Sequence, residues 1–248
     1  MLEIKKLSGG YGQTDTVHDV SLSIPNGRIT ALIGPNGCGK STLLKLICGQ
    51  LDPKQGMVLM GQTPLSGLTR TEIARSVSYL PQGRMVPDIT VESLVLHGRF
   101  PWLGYPRVYR EEDKAAAEAA METAGILQKR KKTLTALSGG ERQKAYIAMT
   151  LAQNTTHVLL DEPTTYLDIA HQLELLELLR LLKAEGKAIA VVLHDINMVL
   201  EYADSLAVMK EGGLLAAGTP ETVLTSGALE EAFGVRIGRG EQIRFFVE

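Results

Sequence analysis

The sequence predicts an α/β fold with a mixed, largely parallel core sheet, an antiparallel N-terminal part and an α-helical insertion. Continuous apolar runs, which are typical of strands covered on both faces, indicate the core sheet. They lie at 28–33, 157–160 and 188–193. Apolar and polar residues instead alternate at 2–4 and 20–24, as in half-buried strands. From about residue 90 to 154 the chain is rich in Ala, Glu and Lys with a helical period, which predicts the insertion.

Turns and helix ends place the other elements in order. Pro25-Asn26-Gly27 forms a turn between strands, and a glycine-rich loop later leads into a helix at 41–47. A helix at 111–124 stops at Gly125, and a hairpin is expected at 205–217. A further helix lies between the two later apolar strands. Its inward residues are predicted to be Leu173, Leu176 and Leu179.

Length and composition limit the class of protein. The 248 residues are 44% hydrophobic and 22% charged, which suits one large globular core or two modest ones. A net charge of −2 indicates no nucleic-acid partner, and two cysteines, Cys38 and Cys48, indicate a reducing compartment. The start MLEIKKL is no signal peptide, and no apolar run approaches the ~20 residues of a membrane span. We therefore expect a cytoplasmic protein.

A phosphate-binding loop is predicted at 34–42. GPNGCGKST fits G-x-x-x-x-G-K-[ST] and lies between a strand and a helix, as this motif requires. Its glycines let backbone N–H groups surround phosphate oxygens, Lys40 adds positive charge, and the Ser41 hydroxyl can ligate Mg²⁺. Cys38 could be a reactive thiol, but we interpret it as a small residue tolerated in the loop. The predicted ATP-binding residues are Gly34, Pro35, Asn36, Gly37, Cys38, Gly39, Lys40, Ser41 and Thr42.

Two carboxylates and a histidine come after the later strands. Asp161 directly follows strand 157–160, where it can hold Mg²⁺ directly or through water. Pro163 should bias Glu162 toward an extended conformation, from which its carboxylate can accept a proton from attacking water. Alone, this pair would be a solvated strand end, but the phosphate loop favours function. His194 ends the next strand on the same edge, where it either orients the water or is structural.

The segment LSGGERQ at 137–143 has the features of a second anion site. A hydroxyl and two glycines precede an apolar, Ala-rich helical run at 145–152. A helix start leaves backbone N–H groups unpaired and carries the positive end of the dipole. Because the chain already has a phosphate loop, the residues alone leave open which phosphate this segment binds.

In this order, the motifs resemble those of the ATP-binding subunits of ATP-binding-cassette (ABC) transporters, over essentially the whole chain. Any one motif could arise by chance, whereas the ordered set is very specific. The resemblance implies the P-loop NTPase fold of an ABC ATPase, with ATP and Mg²⁺ as ligands. The matching motifs are the Walker A loop 34–42, the Q-loop at Gln82, the signature 137–143, Walker B at 158–162, the D-loop 167–168 and the H-loop at His194.

The resemblance also implies individual roles. Gln82 would sense the γ-phosphate through Mg²⁺ or water, and Tyr11 would stack on adenine unless it merely packs on the sheet. The implied catalytic residues are Glu162, His194 and Gln82. The implied Mg²⁺ ligands are Ser41, Gln82 and Asp161.

In this family the signature closes over the γ-phosphate bound by the opposite subunit. The resemblance therefore implies a homodimer that encloses two ATP, with Asp168 of the D-loop at the dimer contact. The signature residues facing the partner's ATP are Ser138, Gly139, Gly140 and Glu141. The expected divisions are a single domain 1–248 with a catalytic core at 1–88 and 155–219, a helical subdomain at 89–154 and a short tail at 220–248.

Finer resemblance points to import of metal chelates. LDEPTTYLDIAHQ at 160–172 looks like the subgroup serving iron–siderophore, ferric citrate, haem and cobalamin importers. One cassette, no room for a long coiled coil and only two cysteines disfavour the translation, chromosome and DNA-repair branches. Another transporter branch remains the alternative, and a DNA-repair or translation ATPase is a more distant one.

The resemblance implies transmembrane permease subunits as partners and, indirectly, an extracytoplasmic substrate-binding protein. It places the chain at the cytoplasmic face of the membrane, held there by the permease. The segment from Gln82 to Leu103 has more large apolar residues than a solvated loop needs, which predicts a groove for the permease. The alternative is internal packing of the helical insertion. The residues in question are Met85, Val86, Phe100, Trp102 and Leu103.

Overall fold

The computed structural model describes residues 1–83, 85–165 and 167–238, together with the backbone of 244–247. The strands are β1 (Leu2–Tyr11), β2 (Thr14–Ile24), β3 (Arg28–Ile33), β4 (Gln55–Met60), β5 (Thr63–Pro64), β6 (Val77–Leu80), β7 (His157–Leu160), β8 (Ala188–Val192), β9 (Ser205–Lys210), β10 (Gly213–Gly218), β11 (Val235–Gly238) and β12 (Arg244–Val247). The helices are α1 (Lys40–Ile47), α2 (Arg70–Ser76), α3 (Val91–His97), α4 (Glu111–Thr123), α5 (Gly139–Ala152), α6 (Ile169–Ala184), α7 (Ile196–Tyr202), α8 (Pro220–Thr225) and α9 (Ala228–Phe233). None of these helices in the described part of the chain is long and apolar enough to cross a membrane.

The core is a six-stranded mixed sheet in the order β10-β9-β3-β8-β7-β6. Five of its strands are parallel, and β10 joins β9 antiparallel at one edge. Leu32 of β3 lies beside Val192 of β8, and Leu80 of β6 lies beside Leu160 of β7. The loops after these four parallel strands therefore meet at one edge of the sheet, where open α/β sheets bind ligands.

The predicted antiparallel part is a four-stranded sheet in the order β2-β1-β4-β5. Leu2 of β1 pairs with Ile24 on one side and with Met60 on the other. Helix α1 is buried between this sheet and the core sheet, and its Leu43 and Leu44 are fully covered. Together with the core sheet this arrangement confirms the predicted fold class. The packing of α1 between the two sheets also fixes the position of its first residues, which follow the loop from β3.

Helices α3, α4 and α5 lie between β6 and β7 in the chain and pack against one another. They belong to a second hydrophobic core that also includes the other face of the core sheet. Gly98 follows the last residue of α3 and packs closely against α5. A Cβ at this position would lie 2.2 Å from the carbonyl oxygen of Met149, so only glycine fits. This close approach fixes the position of α5, which begins in the LSGGERQ segment.

The prediction for α6 was wrong at Leu173. Leu176 and Leu179 are buried as expected, but Leu173 is 43% exposed. Leu173 and Leu182 are nine residues apart, which is about two and a half helical turns, so they point to opposite faces. The run of leucines in this helix makes two alternative apolar stripes, and only packing against the core sheet selects one of them. The buried stripe is Leu175, Leu176, Leu178, Leu179 and Leu182.

This difference gives a matched test of stability on one helix. Leu179→Ala should lower the free energy of unfolding by about 2–5 kcal/mol, because it leaves a cavity under the core sheet. Leu173→Ala should cost no more than about 1 kcal/mol, because its side chain is already largely in water. Urea unfolding of both variants measures the difference. Equal losses would contradict the burial described for α6.

Candidate functional site

The predicted phosphate loop joins β3 to α1 and is closed around its own lysine. Lys40 is 5% exposed, and its Nζ donates to the carbonyl oxygens of Gly34 at 2.7 Å and Pro35 at 2.9 Å. Gly34 has a φ of 152°, and a Cβ there would lie 2.2 Å from the carbonyl oxygen of Met209. Gly39, with a φ of 104°, precedes the helix, and among the described residues no side chain caps it. The first N–H groups of α1 can therefore bind an anion.

The remaining predicted members of the loop lie in the same turn and the first turn of α1. They are Asn36, Gly37, Cys38, Ser41 and Thr42. Cys38 is 6% exposed, with its Sγ 3.8 Å from the Lys40 Nζ. A buried thiol in this position packs the loop, which agrees with the interpretation of Cys38 as a small filling residue.

Asp161 lies at the carboxyl end of β7 and is 1% exposed. Its Oδ1 accepts a hydrogen bond from the Ser41 hydroxyl at 3.0 Å, and its Oδ2 accepts one from the Tyr79 hydroxyl at 3.1 Å. Burial raises the pKa of the Asp161 carboxyl above its ordinary value, although both hydrogen bonds oppose this. Burial and this neighbouring carboxylate also raise the pKa of Tyr79, so its hydroxyl keeps its proton and donates.

A buried carboxylate beside a hydroxyl, both at the edge of a phosphate loop, is a set of hard oxygen ligands. Such a set fits Mg²⁺, which prefers carboxylate, hydroxyl and phosphate oxygens. The hydrogen-bond partners of Asp161 are the Ser41 and Tyr79 hydroxyls, and neither carries a positive charge. A divalent cation at this place would supply the charge that a buried carboxylate requires.

Glu162 is held by three side chains from three different loops. The Gln82 amide Nε2 donates to its Oε2 at 2.6 Å, and the Thr165 hydroxyl donates to the same oxygen at 3.2 Å. His194 Nε2 lies 2.8 Å from the other oxygen, Oε1. The structure thus brings the three residues expected to be catalytic, Gln82, Glu162 and His194, into direct contact. Thr165 joins them.

The backbone of Glu162 differs from the sequence prediction. Its φ is +49°, in the left-handed region, rather than extended as the adjacent Pro163 suggested. The backbone N–H of the preceding Asp161 donates to the carbonyl oxygen of Leu80 at 2.8 Å, which prolongs the β6–β7 ladder by one bond. The chain must leave the sheet immediately after this bond. The turn that achieves this outweighs the local preference of a residue before proline.

Tyr11 lies at the end of β1 and is 50% exposed. The Lys45 Nζ donates to its hydroxyl at 2.9 Å and stands 5.5 Å from the centre of its ring. Since Lys45 is in α1, the ring lies on the helix that starts at the phosphate loop. An exposed aromatic face at this place is available for stacking, as the sequence resemblance implied.

The signature residues form the start of α5. Ser138 is the N-cap, and its hydroxyl accepts from the backbone N–H of Glu141 at 3.2 Å while the Glu141 carboxylate accepts from the N–H of Ser138 at 2.9 Å. The N–H of Ser138 and the ammonium of Lys129 lower the pKa of Glu141 to about 2. Ser138 and Gly139 are exposed, and Gly140 is half-buried. This reciprocal capping leaves the glycine backbone open to an approaching anion.

Asp168 occupies the start of α6, again as an N-cap. Its Oδ1 accepts from the backbone N–H of His171 at 2.9 Å and lies 2.6 Å from the His171 Nδ1. These bonds lower the pKa of Asp168. Its exposed position is suited to contact with another chain, and its hydrogen bonds fix the direction in which it points.

The predicted site residues fall into two groups. The phosphate loop, Asp161, Glu162, Gln82 and His194 converge at the carboxyl edge of the core sheet. The signature residues and Asp168 instead lie on the starts of α5 and α6. Between the groups lies a cleft of about 460 Å³ whose walls include Gly139 and Glu162.

Sequence reasoning missed two residues of the first group. Thr165 bonds to Glu162, and Tyr79 bonds to Asp161. Their positions carried a signal: Thr165 lies three residues after Glu162, the spacing of one turn, and Tyr79 precedes the end of β6 beside β7. Each side chain supplies a hydroxyl to a carboxylate that the motifs had identified.

The chain is similar to known proteins. The family described as ABC transporter matches residues 17–165. The chain is 42% identical to the ferric enterobactin transport ATP-binding protein FepC of Escherichia coli (strain K12), covering 94% of this chain and 86% of that protein. It is 41% identical to the petrobactin import ATP-binding protein FpuD of Bacillus anthracis, with the same 94% and 86% coverage.

A solved structure has the same fold. The dimeric structure of MJ0796, a bacterial ABC transporter cassette, aligns with a TM-score of 0.78 at 26% identity, covering 89% of this chain and 99% of that chain. The sequence match extends over more than half of the chain, and both relatives align along nearly its full length. The chain therefore belongs to the ABC transporter family, as an ATP-binding subunit that hydrolyses ATP.

Proposed function

We propose that this chain energises an importer of iron chelates of the siderophore class, as one of two identical subunits that enclose two ATP molecules. The names of the relatives support the cargo class, because ferric enterobactin and petrobactin are both siderophore cargoes. The observation that carries the enzymatic part is the contact of Gln82, Glu162 and His194 at the edge of the phosphate loop.

In this proposal Glu162 is the general base. Its Oε1 faces His194, and its Oε2 faces Gln82 and Thr165, so the carboxylate has a fixed orientation. A water between this carboxylate and the γ-phosphate would lose a proton to Glu162 as its oxygen attacks phosphorus. The bond from that phosphorus to the oxygen bridging the β-phosphate would break, and ADP would leave. His194 would hold the water and the γ-phosphate in line. Fixing these groups before reaction lowers the entropic part of the barrier.

Ser41 and Asp161 would hold Mg²⁺, and Gln82 would reach it directly or through a water. When bound there, Mg²⁺ would supply positive charge that neutralises the phosphate oxygens. The residues of this chain contribute the shape of the pocket: Lys40 lies inside the loop, and Tyr11 offers a face for adenine. The phosphates would draw the Lys40 ammonium away from the carbonyl oxygens of Gly34 and Pro35.

The signature would act on the ATP of the second chain. Ser138 and Gly139 are exposed at a helix start with open N–H groups, yet neither forms a hydrogen bond with the phosphate loop in the described part of the chain. The structure of the related cassette MJ0796 is dimeric, which supports a dimer of this chain. Asp168, on the start of the neighbouring α6, would lie at the same dimer contact.

We further propose that the permease docks beside the Q-loop and holds the subunit at the cytoplasmic face of the membrane. Met85 is 91% exposed, Phe100 45% and Tyr105 fully exposed, so three large side chains in and just after the segment 82–103 face solvent. Trp102 supports the alternative for part of the segment, because the guanidinium groups of Arg75 and Arg99 lie over its ring, at 5.2 Å and 5.4 Å from its centre. The docking surface would therefore centre on Met85, Phe100 and Tyr105. An extracytoplasmic binding protein would act only through the permease.

Glu162→Gln tests the assignment of the base. The amide keeps the shape and can still bond to Thr165 and Gln82, but it cannot accept the proton. We expect ATP binding to stay near normal while turnover falls about 10²–10⁴-fold, a barrier increase of about 3–5 kcal/mol. Steady-state hydrolysis and equilibrium binding measure the two effects. Glu185→Gln, at the end of α6, is the control, and near-normal hydrolysis by Glu162→Gln would rule out Glu162 as base.

Cysteine crosslinking tests the docking surface. Met85→Cys in the assembled transporter should crosslink to a cytoplasmic loop of the permease, because its side chain projects from the proposed surface. Met57→Cys is the matched control, since Met57 is 46% exposed but lies in β4 of the antiparallel sheet. Crosslinks from Met57 alone, or equal crosslinking at both positions, would contradict the proposed place of docking.

A further inference from the structure

Within one chain, His171 lies between Asp168 of the D-loop and the start of α5, which carries the signature. This residue lies in the first turn of α6, and its Nδ1 is 2.6 Å from Asp168 Oδ1, the same oxygen that accepts the His171 backbone N–H. The bond fixes the orientation of the imidazole. The ring is about one-third exposed, so it lies at the surface rather than in the hydrophobic core.

The fixed ring faces the signature. A Cβ placed on Gly140 would lie 3.6 Å from the Cγ, Cδ2 and Nδ1 atoms of His171, so the imidazole fills the space beside the second residue of α5. Two further contacts tie α5 to the segment that carries Glu162 and Asp168. Lys144 forms a salt bridge with Glu174 at 2.6 Å, and the Gln143 Nε2 donates to the carbonyl oxygen of Pro163 at 2.6 Å.

These contacts differ in what they can control. The Lys144–Glu174 and Gln143–Pro163 contacts lie beyond the first turn of α5. The first ties α5 to α6, and the second ties α5 to the loop after β7. His171 is bonded to the D-loop residue Asp168, and its ring supplies the nearest atoms to the place where a Cβ on Gly140 of the signature would lie. A displacement of the ring would open the space beside Gly140 and break the side-chain bond to Asp168. A displacement of about 1 Å at groups that position a reactant can cost about 100-fold in rate.

We propose that His171 is a positioning residue for hydrolysis of the ATP bound by the other chain, because it sets the spacing between Asp168 and Gly140. This inference rests on the proposed dimeric function. His171 would contact no nucleotide itself. Its effect would be on turnover in the opposite site, whereas the affinity of its own chain for ATP depends on the phosphate loop and Tyr11.

His171→Ala removes the side-chain bond to Asp168 and empties the space beside Gly140, while the backbone N–H bond to Asp168 remains. In the homodimer we expect kcat to fall about tenfold and KM for ATP to change less than about twofold, because the nucleotide contacts of each phosphate loop are intact. Arg180→Ala is the matched control. Arg180 is also on α6 and has an ion pair with Glu177, but its described contacts, with Glu177 and Tyr202, are away from α5. Unfolding temperature shows that both variants are folded.

Heterodimers show on which site His171 acts. In the separated pair, one chain carries Lys40→Ala and the other His171→Ala. If His171 acts across the dimer, both defects then fall in one site and the other site is wild type. In the combined pair, one chain carries both substitutions, so the only site with Lys40 faces the defective His171. We therefore expect the separated pair to hydrolyse ATP about tenfold faster than the combined pair.

The reverse order would mean that His171 serves its own chain, and equal rates would mean that it has no role in positioning. Either result would overturn the inference. The same two pairs made with Ser138→Arg instead of His171→Ala test the dimeric function itself. If the Ser138 pairs rank separated above combined but the His171 pairs do not, the inference fails and the dimeric function stands. If the Ser138 pairs lack that order, the dimeric function fails.

Discussion

The site depends on how the carboxylate of Glu162 is fixed. A partly buried carboxylate needs hydrogen bonds to compensate for lost water, and Glu162 finds them on three loops, from Gln82, Thr165 and His194. Gln82 and His194 lie in the loops that follow β6 and β8, and Thr165 lies in the turn that follows β7. Because these three parallel strands are neighbours in the core sheet, their loops meet at one edge. Glu162 has a left-handed backbone, a conformation that costs on the order of 1–3 kcal/mol and persists only where the surrounding structure fixes it.

The adjacent carboxylates of Asp161 and Glu162 have different surroundings, which suits them to the two different roles proposed for them. Asp161 is almost fully buried and bonds to the hydroxyls of Ser41 and Tyr79, which suits it to hold a cation. Glu162 instead accepts N–H bonds at the rim of an open cleft, which suits it to take a proton from water. Proximity in sequence puts both near the phosphate loop, while the turn between them directs the two side chains to different neighbours.

Sequence patterns correctly predicted the features that strand ends and helix starts determine. The phosphate loop, Asp161, Glu162 and His194 converge because parallel strands end at one edge, and the motifs mark those ends. Sequence patterns failed where residues distant in the chain determine the local structure. The conformation of Glu162 depends on the β6–β7 ladder, and the exposure of Leu173 depends on which leucine stripe meets the sheet. The Tyr79 and Thr165 bonds need atomic positions that spacing alone does not supply.

The central claim is that one chain holds half of each ATP site, so ATP should join two chains. Light scattering of Glu162→Gln measures this directly, because slow hydrolysis leaves the nucleotide in place. Without ATP the mass should be near the 26.9 kDa of one chain, and with ATP about twice that. Adding Lys40→Ala should abolish the doubling. A mass that stays at one chain while dialysis shows one ATP bound per chain would contradict the account.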